Sequence, residues 1–165
     1  MLIRSNGAHS KLIWRWLKGD APVAELGDPT TSTGYALCVY DSTALVPALA
    51  IRIDVAAAGT CGGAPCWAAL GGVTPKGFRF DDGTGAQGGM QKLRLKGGRP
   101  GHDKLLIKAG GAALALPTPA SATQLFAQQQ DVTVQVVNDD GNCWDATYSP
   151  SAVLTNRADF YKAKR

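Results

Sequence analysis

Glutamate is almost missing from this 165-residue chain: Glu25 is the only one. Histidine is nearly as scarce, with His9 and His102, and charged residues make up only 18%. These shortages narrow the chemistry. A glycosidase built on paired carboxylates would have to draw on aspartate. The His-Glu-x-x-His zinc motif, the Walker phosphate loop and the Gly-x-Ser-x-Gly elbow of serine hydrolases do not occur. Neither does a Cys-x-x-Cys redox pair. No apolar run is long enough to span a bilayer as a helix. Leu12 to Leu17 is short and broken by Arg15, so the start of the chain does not read as a signal peptide.

Apolar residues make up 45%, which suits one domain with its own core rather than a disordered chain. The dominant period is two. Lys11 to Lys18 puts Leu12, Trp14 and Trp16 on one side and Arg15 on the other, as a half-buried strand does. Gly34–Asp41, Leu49–Val55, Cys66–Leu70 and Gly77–Asp81 read as further strands, separated by loops rich in Gly, Pro and Asp. Lys92–Gly98 and Lys104–Gly110 form a hairpin, as do Val132–Val137 and Cys143–Ser149. Ser121 to Gln130 has room for one helical turn or two. About nine short strands with turns every 8–12 residues predict an all-β, antiparallel β-sandwich or jelly-roll-like domain. The expected division is an N-terminal extension over 1–10, one sandwich over 11–157, and a basic C-terminal tail over 158–165.

Four cysteines admit three pairings. Cys61 and Cys66 enclose Gly-Gly-Ala-Pro and can fold back on each other, and Cys38 with Cys143 would close a loop of over a hundred residues. The spacing does not suit a zinc site, where close pairs repeat or histidines join them. Disulfides place the protein outside the cytoplasm, at the cell surface or beyond, with the export signal upstream of these residues. Trp67 and Trp144 follow cysteines directly, so on strands they point away from them. Trp14, Trp16, Trp67 and Trp144 read first as core packing, and otherwise as a flat platform for a sugar ligand.

Formal net charge is +4. Lys92, Arg94, Lys96, Arg99, Lys104 and Lys108 fall in one central stretch. They read as a solvated strand face; an anionic partner is the alternative, and no motif for specific nucleic-acid binding accompanies them. His102-Asp103 at a hairpin tip is the nearest thing to a hydrolytic couple. Asp81-Asp82 and Asp139-Asp140 could hold calcium, although both pairs also suit ordinary turns. No other cofactor is expected.

Five segments together carry a family resemblance: Lys-Leu-Ile-Trp-Arg-Trp-Leu-Lys-Gly, Tyr-Ala-Leu-Cys-Val-Tyr-Asp, Gly-Thr-Cys-Gly-Gly-Ala-Pro-Cys-Trp, Lys-Gly-Phe-Arg-Phe-Asp-Asp and Asn-Cys-Trp-Asp-Ala-Thr-Tyr-Ser. The chain resembles an uncharacterised, cysteine-containing all-β module of large secreted proteins from environmental bacteria. The resemblance runs from Lys11 to about Phe160. It implies an extracellular setting beside neighbouring modules, and assigns no catalytic residue. The sequence therefore predicts a non-catalytic extracellular module for binding, adhesion or surface structure, its partner a glycan or other surface ligand. The alternative is a small secreted hydrolase acting on glycan or ester bonds through His102 and Asp103.

Overall fold

Alternating apolar residues become two facing sheets. The computed structural model describes residues 1–43, 46–127 and 131–165. Its strands are β1 (Leu2–Arg4), β2 (Lys11–Gly19), β3 (Tyr35–Thr43), β4 (Val46–Val55), β5 (Thr60–Cys61), β6 (Ala64–Pro65) and β7 (Trp67–Ala69), followed by β8 (Gly77–Asp81), β9 (Met90–Lys96), β10 (Asp103–Gly110), β11 (Val132–Asn138), β12 (Cys143–Tyr148), β13 (Val153–Arg157) and β14 (Phe160–Ala163). Helical structure among the described residues is limited to three single 3-10 turns. One sheet has eight strands in the order β13-β14-β1-β2-β10-β9-β8-β7, and the other has four, β12-β11-β3-β4. A two-stranded ribbon, β5-β6, stands apart from both. All pairings are antiparallel, and the class is the all-β sandwich expected.

The inner faces share one core. Leu12, Trp14, Leu105, Ile107, Leu93 and Phe80 of the larger sheet meet Leu37, Val39, Ile51, Ile53, Val134 and Val136 of the smaller. Each such side chain contributes about 1.5–3 kcal/mol by leaving water. Aromatic rings bind the cysteine-rich end to the core: Trp67 lies 5.6 Å from Tyr35 and 5.2 Å from Phe80 between ring centres. The segment after β10 closes another part of the core with Leu114, Leu125 and Phe126. Asn156 holds that segment by accepting from the Leu125 and Phe126 amides and donating to the Phe126 carbonyl. Ser121 to Ala127 makes bends rather than a helical turn; 128–130 lie outside the described residues.

All nine expected strands form, and five more join them. β1 pairs with both β2 and β14, and β13 pairs with β14. The stretches expected as an extension and a tail thus lie inside the larger sheet. The reason is apolar: Ile3 and Tyr161 face each other in register, and both are fully buried.

Cys61 and Cys66 are bonded, with Cα atoms 4.9 Å apart. The expected Cys38–Cys143 bond is absent, and both thiols are free. Register explains this. Cys38 opposes Gln135 and Cys143 opposes Val137, so β11 runs between them. Two strand spacings separate the cysteines by about 9–10 Å, beyond the roughly 7 Å that a disulfide can bridge.

Candidate functional site

The His-Asp couple does not form. His102 is exposed on the β9–β10 turn, and its amide donates to the Arg99 carbonyl. Asp103 is 1% exposed and points inward. Its carboxylate accepts from the Ala21 amide at 3.0 Å and the Arg99 amide at 2.8 Å, tying the turn to the loop after β2. Among the described residues no hydrogen bond joins His102 to Asp103 or to a serine.

The acidic pairs are occupied by the chain's own donors. Asp82 is 2% exposed and accepts from the Thr84 amide and hydroxyl and from the Ala86 amide. Burial works to raise its pKa, but these donors and the Gly85 amide outweigh burial and hold it below the ordinary value. Asp81 faces Lys92 at 3.5 Å. Asp139 accepts from the Gly34 amide and Asp140 from the Thr33 hydroxyl, joining the β11–β12 turn to the start of β3. No group of three or more metal-ligating side chains occurs among the described residues.

One glycine pattern needs its context. Gly83-Thr-Gly-Ala-Gln-Gly88 has the spacing of a dinucleotide-binding turn. It leads from β8 into β9, a strand, so it brings no helix N-terminus to meet a pyrophosphate.

The tryptophans divide three to one. Trp14, Trp67 and Trp144 are 0%, 3% and 4% exposed and belong to the core. Trp67 also donates its indole N–H to the Ala56 carbonyl at 2.9 Å. Trp16 alone of the four is half-buried, at the open end of β2. Gly19 has no side chain to obstruct it; a Cβ there would overlap the Trp16 ring.

Trp16 lines a groove of about 760 Å³. β1 flanks β2 only as far as Ile13, and beyond that β2 has a strand partner on the β10 side alone. Ala146, Asp145 and Tyr148 of β12 form the opposite wall, while Lys18, Lys164 and Arg165 supply positive charge. Burial pushes the Tyr148 hydroxyl above its ordinary range against opposing pulls from Trp14 and Arg165. No family model, curated protein or solved structure matches the chain.

Lys18 has unusual backbone geometry. Lys104 pairs with Leu17 and Asp103 with Gly19, so Lys18 is the extra residue of a β-bulge. Its φ is +61°, a left-handed conformation in which glycine is the usual occupant. A lysine there costs about 1–2 kcal/mol. Sequence reading identified Trp16 but not Lys18, Asp145 or Tyr148. Only the bulge and the meeting of β2 with β12 bring those three together.

Proposed function

We propose that the protein is an extracellular, non-catalytic binding module of a larger parent, and that it seats a surface glycan in the Trp16 groove. One observation carries this reading: the single tryptophan outside the core lines a concave site together with a few polar side chains. Ligand sites combine an apolar wall with a small number of orienting polar groups in a volume of about 300–1,000 Å³. The half-buried indole offers a face for the apolar side of a sugar ring. Asp145 and Lys18 offer acceptors and donors for its hydroxyls, while Tyr148, 2% exposed, forms part of the wall. The Cys61–Cys66 bond supports an oxidising compartment, and the sequence resemblance supports a setting among other modules.

The test is calorimetry against a panel of neutral and acidic polysaccharides. Trp16→Ala should weaken glycan binding at least tenfold while leaving the melting temperature within a few degrees. Lys18→Gly should separate the roles of the bulge, raising the melting temperature by relieving φ while weakening binding. Undiminished affinity in Trp16→Ala would end the proposal.

A further inference from the structure

The basic stretch of the central hairpin becomes a different object once folded. Lys92, Arg94 and Lys96 of β9 all project from the outer face of the eight-stranded sheet. Arg79 of β8 lies directly opposite Arg94. Lys104 and Lys108 of β10 lie directly opposite Lys96 and Lys92. Arg15 of β2 continues the Arg79–Arg94 row beyond Leu106. Against these cations the outer face of those four strands sets Asp81, and the Lys92–Asp81 contact is the one ion pair there among the described residues.

Like charges directly opposite across a sheet are destabilising. Three such pairs on neighbouring strands are therefore a cost to the fold, and a solvated face needs none of them. The face is also concave at one end. A depression of about 500 Å³ between β7, β8 and β9 is lined by Arg79, Lys92, Arg94 and Asp81 together with Leu70. Lys92 offsets Asp81 at 3.5 Å, which leaves the two guanidinium groups to take a carboxylate or sulfate through paired N–H donors.

We infer that this outer face is a binding site for an acidic polysaccharide, with one of its anionic groups in the Arg79–Arg94 hollow. The site is separate from the Trp16 groove and does not depend on it. Cations in each of the three pairs lie about one strand spacing, 4.8 Å, apart, so two successive charged units of a linear polymer can meet adjacent cations. Nucleic acid fits less well, because no aromatic side chain projects from the outer face of these four strands to stack a base. A lipid surface fits less well too, since Leu17 is the only large apolar side chain there that is mostly exposed.

Affinity electrophoresis and calorimetry with polygalacturonate test the assignment, with neutral dextran, duplex and single-stranded DNA, and phosphatidylglycerol vesicles as comparisons. Polygalacturonate should bind, dextran should not, and affinity should fall at least tenfold between 50 and 300 mM salt, about what release of several counterions produces. The double variant Arg79→Gln/Arg94→Gln should lose at least tenfold. Lys96→Gln/Lys104→Gln provides a second reading if the first does not fold. Arg52→Gln, on the other sheet, should change nothing. Trp16→Ala should leave this binding intact, so failure of the groove and failure of the face are told apart. Tighter binding to DNA or vesicles than to polygalacturonate at equal salt would overturn the assignment, as would unaltered affinity in both double variants.

Discussion

Asp103 shows how far a residue's neighbours in sequence can mislead. Adjacent residues entering a strand point to opposite faces, so His102 and Asp103 diverge where a catalytic couple would have to converge. The inward carboxylate instead serves two backbone amides from separate loops. Asp103→Ala should cost about 2–3 kcal/mol by leaving those donors unpaired in the interior, whereas His102→Ala should stay within about 0.5 kcal/mol. Urea unfolding of both variants checks this; equal losses would mean that the turn is held by something other than Asp103. The cysteines were legible only in part for a related reason. The close pair is a matter of loop length, which the sequence displays. The Cys38–Cys143 question turned on which strand lies between them, and no local pattern encodes that.

Strands long enough to alternate were readable; shorter ones were not. Ile51, Ile53 and Val55 announce their buried face by alternation, whereas Leu49, expected on that face, is 52% exposed because the register with β3 shifts between Val39 and Tyr40. β5 and β6 have two residues each and β1 has three, too few to set a period against chance. Pairing order was likewise hidden, and with it the charge array of β8, β9 and β10. Seen along the chain, Lys96 and Lys104 are separate basic residues; seen across the hairpin, they oppose each other. Lys104→Glu should therefore stabilise the sheet by about 0.5 kcal/mol, a rise of roughly 1–2 °C in melting temperature for a domain of this size. The same change should weaken polygalacturonate binding. A fall in melting temperature would show that the like-charge pair carries no strain.

At the scale of the molecule, the boundary drawn at residue 157 was misplaced because a basic composition disguised a core strand. Lys162 and Lys164 flank Tyr161 and Ala163, which point inward. Shortening the chain to residue 157 should abolish the cooperative thermal transition, and Tyr161→Ala alone should cost about 3–5 kcal/mol, as large-to-small aromatic changes in cores do. Differential scanning calorimetry would show either outcome. A sharp transition near the parent's temperature in the shortened chain would restore the tail as a dispensable appendage.

The pairing of Leu2–Arg4 with Phe160–Ala163 also fixes an order of events during synthesis. β1 is made first of the fourteen strands and one of its two neighbours last. At about 5–20 residues per second, the wait for that neighbour is on the order of ten seconds or more. Over that time the growing sheet carries an unpaired edge, the kind of template that recruits other chains. The eight-stranded layer can be completed only after residue 163 has emerged, so the most exposed interval in the life of this fold comes before it is finished.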